Sequence, residues 1–210
     1  MYSDIACPWC YVGKKRLDSA LQQLQKRSPS EPIIVNWHPY IIDRNTAANG
    51  ENYEDYNFRR WGSDHWTISL RNSSRRDGVE FKNWKTWPNS LHGHRLVHYA
   101  GKKFGAVGQS KAKDILFRMV YEDGKNISIV PCVMEAAKEL GLTEAEDYLK
   151  SDEDIDLILS EDLKAKSSLK ISGVPYFIIR NDKKQCRPIT LSGAQQSPAF
   201  VDAICSLNEL

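Results

Sequence analysis

The sequence contains no apolar run long enough to cross a membrane. Its apolar stretches end well short of the roughly 18 residues that a membrane-spanning helix needs. The first residues also have neither the charged segment nor the apolar segment of a signal peptide. We therefore expect a cytoplasmic protein with no membrane partner.

An excess of charge of one sign is also missing. The chain has 29 lysines and arginines against 27 aspartates and glutamates, which gives a formal net charge of +2. Its basic runs, Lys14-Lys15-Arg16, Arg75-Arg76 and Lys183-Lys184, are too short to follow a phosphate backbone. We therefore predict no nucleic-acid partner.

Linkers rich in proline, glycine and serine are absent, and so are repeats and low-complexity tracts. With 210 residues, the chain is long enough to bury its own core without a disulfide framework. The five cysteines fit this view, because they form one close pair and three scattered single residues, Cys132, Cys186 and Cys205. We expect these three to be buried structural thiols.

The close pair, Cys7 and Cys10, requires either a metal site or redox chemistry as its explanation. A tetrahedral zinc site needs two more ligands, and neither a second Cys-x-x-Cys nor a His-x-x-x-His pair is expected in the chain. No metal is therefore predicted, and no other cofactor.

The segment around the pair is predicted to begin an α/β unit. Apolar residues recur every three or four positions over residues 13–24, which indicates an amphipathic helix directly after the pair. Strands are predicted on either side, over residues 2–6 and 33–40. Because only six residues precede Cys7, the first strand is expected to be short.

The middle of the chain has mainly helical periodicity, with an irregular polar and aromatic segment at residues 71–87. Helices are predicted over residues 53–61, 91–104, 109–122, 130–140 and 154–168. Gly124, Gly141 and Gly173 follow helical segments, where a residue with positive φ commonly closes the last turn.

Strand character returns near the end of the chain. Two strands are predicted over residues 176–179 and 188–191, followed by a helix over 198–207. We therefore predict one α/β domain built from residues 1–40 and 173–210, with residues 41–172 as a mainly helical inserted domain.

The sequence Cys7-Pro8-Trp9-Cys10 places the first sulfur beside the unpaired N–H groups and the positive dipole end of a helix. Both favour the thiolate, so Cys7 is expected to ionise more readily than a free cysteine, whose pKa is about 8.5. The thiolate attacks a disulfide, and Cys10, one turn further on, would resolve the mixed disulfide. Pro8 suits the first helical turn, Trp9 offers an aromatic surface, and Asp4 is expected to support the turn.

Five segments extend this motif along the whole chain. They are Ser3-Asp4-Ile5-Ala6-Cys7-Pro8-Trp9-Cys10-Tyr11-Val12-Gly13-Lys14, Trp37-His38-Pro39-Tyr40, Asn89-Ser90-Leu91-His92-Gly93-His94-Arg95-Leu96, Gly173-Val174-Pro175-Tyr176-Phe177 and Ser192-Gly193-Ala194-Gln195. In order and approximate spacing they resemble the DsbA-like thioredoxin proteins of the FrnE group, relatives of kappa-class glutathione transferases and 2-hydroxychromene-2-carboxylate isomerases. The resemblance implies a thioredoxin-like fold with a large, mainly helical insertion.

The resemblance also implies a substrate-binding loop. Val174 and Pro175 are expected to form a cis-proline loop that faces the cysteine pair and binds an extended substrate segment. Trp9, Asn89 and His94 are the other expected substrate-binding residues. A histidine among apolar neighbours on a helix is nearly as well explained as a hydrogen-bonded packing residue.

Three functions are compatible with these residues. The first is thiol–disulfide exchange with protein or peptide substrates, as oxidant, reductase or isomerase, in which Cys7 attacks and Cys10 resolves. The second is a glutathione-dependent isomerase or transferase of a small molecule. The related enzymes of that kind carry serine where Cys7 stands, which favours the first function and leaves glutathione as a candidate ligand. The third is a binding protein that keeps the fold without catalysis.

Overall fold

The computed structural model describes residues 1–27 and 32–209. Residues 28–31 and 210, which belong to the predicted α/β domain, lie outside the described residues. The strands are β1 (Tyr2–Ser3), β2 (His38–Pro39), β3 (Glu51–Asn52), β4 (Thr86–Trp87), β5 (Tyr176–Ile179) and β6 (Ile189–Ser192). The helices are α1 (Pro8–Arg27), α2 (Tyr53–Trp61), α3 (Trp66–Ser74), α4 (Leu91–Tyr121), α5 (Val130–Glu139), α6 (Ala145–Lys150), α7 (Ile155–Ser167) and α8 (Ser197–Glu209), with a 3₁₀ turn at Arg75–Asp77.

Four strands form a mixed sheet in the order β2-β1-β5-β6. Strand β1 pairs in parallel with β2, where Tyr2 lies opposite His38, and antiparallel with β5, where Tyr2 lies opposite Tyr176. Strands β5 and β6 form the antiparallel hairpin that the last two predicted strands indicated. The small pair β3 and β4 lies within the helical segment between β2 and β5. The predicted α/β fold class is confirmed.

The first two strands are shorter than predicted. The chain leaves β1 at a turn, because the carbonyl of Asp4 accepts a hydrogen bond from the N–H of Cys7 at 3.2 Å. Of the second predicted strand, 33–40, only the two residues of β2 pair with a neighbouring strand. Ile33 and Ile34 remain 41% and 68% exposed, so extending the ladder to them would bury little apolar surface.

Helix α1 begins at Pro8, within the cysteine motif and ahead of the apolar periodicity of residues 13–24. Proline fits the first turn because its missing N–H is not needed there. The carbonyl of Cys7 already accepts a hydrogen bond from the N–H of Cys10 at 3.0 Å. Cys7 therefore lies immediately before the helix and Cys10 in its first turn, as the motif predicted. The buried face of α1 packs along α8.

The inserted segment contains more helix than predicted. Helix α6 was not predicted, and α3 occupies the beginning of the segment 71–87 that was predicted to be irregular. Helix α3 lacks a clear periodic signal because it buries Leu70 but leaves Ile68 60% exposed. Among the helices of the described residues, none is long and apolar enough to cross a membrane.

Glycines explain where several helices bend or end. Helix α4 runs through both helices predicted at 91–104 and 109–122, and it is interrupted at Gly105, with φ 63° and ψ −155°. Gly124 and Gly141 have positive φ, as predicted for residues that close a helix. The same expectation is wrong for Gly173, which does not adopt a positive φ.

One apolar core connects the sheet to the helical insertion. It includes Ile5 from the turn after β1, Phe177 from β5 and Phe200 from α8, together with Leu116 and Phe117 from α4. All five side chains are at most 3% exposed. Helix α4 therefore packs directly behind the turn that carries the cysteine pair.

Candidate active site

The turn between β1 and α1 is held by a buried carboxylate. Asp4 is 1% exposed, and its Oδ1 accepts a hydrogen bond from the N–H of Ala6 at 3.1 Å. Its Oδ2 accepts a hydrogen bond from the N–H of Ile42 at 2.8 Å. These bonds fix the backbone that leads into Cys7, in the supporting role expected of Asp4.

Both sulfur atoms of the pair lie inside the protein surface. Cys7 and Cys10 are free thiols, 4% and 0% exposed. The Sγ of Cys7 donates a hydrogen bond to the carbonyl of Val174 at 3.6 Å, across most of the length of the chain. The peptide bond between Val174 and Pro175 is cis. A Cβ on Gly13 would lie 2.8 Å from Cγ of Pro175, so α1 closely approaches this loop.

Burial opposes the thiolate expected at Cys7. Removal from water raises the pKa of the Cys7 thiol well above its ordinary value, and the neighbouring Cys10 and Asp4 raise it further. A helix N-terminus contributes about 0.3–1 kcal/mol to a nearby negative charge, at most about 2. Burial of an unpaired charge costs more than this. The prediction of a readily ionised Cys7 is therefore wrong for the buried dithiol.

A lysine of α4 lies behind the pair. Lys113 is fully buried, and its Nζ donates a hydrogen bond to the carbonyl of Ser3 at 3.4 Å. Burial lowers its pKa to about 8, although Cys10, Asp4 and Cys7 act in the opposite direction. This residue was not predicted from the sequence, although a signal was present. Lys113 shares the apolar face of the predicted helix 109–122, where a lysine is unusual.

His94 lies behind the turn as well. It is 2% exposed, and its Nε2 lies 3.4 Å from Oδ1 of Asp4. Burial and the charge of Lys113 lower the pKa of His94 below its usual value. Burial alone would raise the pKa of Asp4, but the interaction with His94 and the hydrogen bond from the N–H of Ile42 outweigh it and lower that pKa. His94 therefore contacts the carboxylate beneath the cysteine pair rather than an open groove.

The match to a family model covers nearly the whole chain. Residues 1–205 match the DSBA-like thioredoxin domain. The chain belongs to the DSBA-like thioredoxin family. A curated relative, the uncharacterized protein YwbO of Bacillus subtilis, is 23% identical over 144 residues, which cover 68% of this chain and 65% of that protein. The match thus spans less than two thirds of the relative's length.

Three solved structures share the fold of this DSBA-like protein. A probable DsbA oxidoreductase from Streptomyces coelicolor has a TM-score of 0.78 at 23% identity, over 99% of this chain and 88% of that one. A 2-hydroxychromene-2-carboxylate isomerase has a TM-score of 0.71 at 16% identity, over 99% and 94%. The cytosolic disulfide reductase DsbM from Pseudomonas aeruginosa has a TM-score of 0.63 at 17% identity, over 99% and 93%. These similarities confirm a thioredoxin-like fold with a helical insertion.

Two expected substrate-binding residues of the DSBA-like protein differ in their surroundings. Trp9 is half-buried in the first turn of α1, between the two cysteines. Asn89 forms three hydrogen bonds that hold the local backbone. Its N–H donates to Oγ of Ser128, its Nδ2 donates to the carbonyl of Thr46, and its Oδ1 accepts from the N–H of Leu91. None of these bonds involves the cysteine pair. Substrate binding by either residue remains a prediction.

The expectation that the chain has no His-x-x-x-His pair is wrong. His94 and His98 have the His-x-x-x-His spacing, but their Nε2 atoms face separate carboxylates, 3.4 Å from Asp4 and 3.5 Å from Asp154. Within residues 1–27 and 32–209, no group of three or more His, Cys, Asp and Glu side chains is arranged to hold a metal ion. Both histidines border a small cavity beside Lys113, with space for about one water molecule.

The three single cysteines are less buried than expected. Cys132, Cys186 and Cys205 are free thiols with partly exposed side chains. Cys205 packs against the main core from α8, so its environment is partly that of a structural thiol. The expectation that all three are buried is wrong.

Proposed function

We propose that this DSBA-like protein is a thiol–disulfide oxidoreductase in which Cys7 attacks a substrate disulfide and Cys10 resolves the mixed disulfide. The observation that carries the proposal is the contact of Cys7 Sγ with the carbonyl of Val174, 3.6 Å away, at the start of α1. A substrate segment that reaches Cys7 must therefore lie beside the backbone of Val174 and Pro175. Trp9 would add an aromatic surface to the same region.

The partners of the proposed reaction are protein or peptide disulfides and dithiols. An extended peptide beside an exposed backbone segment can form main-chain hydrogen bonds, which tolerate many sequences. The similarity in fold to a DsbA oxidoreductase and to a disulfide reductase supports this class of reaction. We also propose that residues 41–172 act as an inserted domain whose helix α4 closes the site from behind.

Burial of Cys7 has a kinetic consequence. Because its pKa is raised, only a small fraction of Cys7 is thiolate in the free dithiol near neutral pH. Its alkylation by iodoacetamide should therefore be slower than that of a free cysteine near neutral pH, and should still accelerate above about pH 9. Cys7 is only 4% exposed, so a substrate must make its sulfur more accessible before attack.

A second candidate function is glutathione-dependent isomerisation or transfer. It is favoured by the shared fold with an isomerase and by the structure of DsbM with glutathione, which has a TM-score of 0.62 to this chain. Such a reaction would need no resolving thiol. The two candidates therefore differ in what they require of Cys10.

The deciding experiment uses the Cys10→Ser variant. Dithiol exchange predicts that Cys7 forms a mixed disulfide that persists, since release then depends on an outside thiol. Reducible adducts with a model peptide disulfide should accumulate on non-reducing gels and map to Cys7. Isomerisation predicts undiminished turnover of a small molecule with glutathione.

Two further variants serve as controls. Cys7→Ser should abolish both the adduct and the reduction of insulin, because the nucleophile is lost. Cys132→Ser removes a partly exposed thiol of α5 and should leave both unchanged. A reduced, alkylatable Cys10→Ser protein that traps neither the peptide nor glutathione would contradict dithiol exchange.

A further inference from the structure

Lys113 lies in the protein interior without an acidic partner. Its Nζ lies 5.5 Å from the ring centre of Trp37 and 5.8 Å from that of Phe117. Its one hydrogen bond among the described residues goes to the carbonyl of Ser3, on the strand that leads into the active-site turn. Within the described part of the chain, it forms no ion pair with a carboxylate within 4.0 Å.

A nearby lysine shows how the same core satisfies a purely structural ammonium group. Lys14 is 2% exposed and lies 5.9 Å from the ring centre of Trp37. Its Nζ pairs with both Asp18 and Asp114, at 2.8 Å each. An isolated buried charge is costly, so the unpaired state of Lys113 needs another explanation.

The surrounding groups leave Lys113 as the local positive charge. Burial lowers the pKa of the Met1 amino group to about 5 and that of His94 below its usual value, so both are neutral near pH 7. Asp4 is ionised, because its pKa is lowered. The thiolates of the cysteine pair would stabilise the charged form of Lys113. By linkage, the charged lysine stabilises those thiolates equally.

We propose that Lys113 supplies the counter-charge of the active site, balancing the negative charge that passes between Cys7 and Cys10 during disulfide exchange. This inference rests on the proposed function, since it concerns the charge of the same dithiol. Lys113 stabilises negative charge on the two sulfur atoms and does not itself react, so it is a positioning residue rather than a catalytic one.

The exchange consists of two substitutions at sulfur. The Cys7 thiolate attacks one sulfur of the substrate disulfide, forms a bond to it and releases the first substrate thiolate. The Cys10 thiolate then attacks the sulfur of Cys7, forms the intramolecular disulfide and releases the second. Two electrons pass to the substrate, and the two protons lost by the cysteine pair reach the substrate thiolates through solvent. Lys113 remains protonated throughout.

This role predicts a change in the reactivity of the dithiol. A nearby cation stabilises the thiolate and not the thiol, so replacing Lys113 by Met should lower the thiolate fraction of Cys7. Because the dithiol is mostly protonated near neutral pH, its equilibrium with glutathione there should change little. The rate of Cys7 alkylation near neutral pH should fall about tenfold, because more of the thiol stays protonated.

The experiment compares four proteins: wild type, Lys113→Met, Lys113→Arg and Lys14→Met. Each is equilibrated with reduced and oxidised glutathione, and the fraction of Cys7–Cys10 disulfide is measured by alkylation and mass. The pH profile of Cys7 alkylation is measured in parallel. Folding is checked by circular dichroism and by thermal unfolding.

The counter-charge role predicts slower Cys7 alkylation near neutral pH for Lys113→Met, recovery in a folded Lys113→Arg protein, and an unchanged rate for Lys14→Met. A folded Lys113→Met protein whose alkylation rate is within twofold of wild type would overturn the inference. An equal fall in the rate for Lys14→Met would also overturn it, since any buried lysine near Trp37 would then do the same. Failure of wild type to exchange with glutathione would instead contradict the proposed function.

Discussion

Replacing Lys113 by Met should stabilise the folded protein while making its dithiol less reactive. The ammonium group is fully buried without a carboxylate partner, and burial lowers its pKa from 10.5 to about 8. A base with a lower pKa in the folded than in the unfolded state binds fewer protons when folded. Lys113 therefore costs stability in full below about pH 8, and the cost fades as the pH rises from about 8 to about 10.5.

The magnitude follows from the two pKa values. At about 1.4 kcal/mol for each pKa unit, the difference between 10.5 and about 8 corresponds to about 3 kcal/mol near pH 7. Loss of the hydrogen bond to Ser3 and of the contacts with two aromatic rings offsets about 1 kcal/mol. We expect the Met variant to gain about 2 kcal/mol near pH 7 and about 1 kcal/mol near pH 9.

Urea unfolding at both pH values, with all thiols kept reduced, measures this gain. Lys14→Met is the matched control, because it breaks two ion pairs and should lower the free energy of unfolding. A Lys113→Met protein that is less stable than wild type near pH 7, or whose gain grows with pH, would refute the reasoning. Higher stability with slower exchange is the pattern of an active-site residue that is kept for function.

Three other substitutions test contacts that support the structure around the cysteine pair. Gly13→Ala places a Cβ 2.8 Å from Cγ of Pro175, so we expect the free energy of unfolding in urea to fall by about 1–3 kcal/mol and insulin reduction to be slower. An unchanged rate of insulin reduction would show that this contact does not affect the active site. Asp4→Asn should cost about 2 kcal/mol near neutral pH, because its carboxylate accepts hydrogen bonds from the N–H groups of Ala6 and Ile42 through both oxygens and an amide has only one acceptor oxygen. Because the folded pKa of Asp4 is lowered, the difference from wild type should shrink as the pH falls below about 4, and a constant difference would contradict this account. Arg95→Met leaves four backbone carbonyls near the end of α6 without their donor, so we expect the free energy of unfolding to fall by about 3 kcal/mol or more. A thermal midpoint equal to that of wild type would show that Arg95 does not stabilise this end of α6.

Local patterns in the sequence were sufficient for much of the fold. The helical periodicity after Cys10, with Pro8 suited to a first turn, predicted that the cysteine pair begins a helix, and α1 confirms it. The hairpin of β5 and β6 was predicted because its strands are adjacent in the chain. The length of the second strand was wrong, because ladder pairing depends on a partner strand and on the covering of one face.

The chemical state of the pair was decided by the tertiary structure. The motif predicted a stabilised thiolate, since a helix N-terminus is a local feature that a sequence records. Burial, Asp4 and Cys10 reverse that effect at Cys7. The carbonyl of Val174 contacts the pair, and the charge of Lys113 acts on it, although both lie in distant parts of the chain. A pKa depends on water exclusion and on every charge nearby in space, whereas periodicity records only which side of a helix is buried.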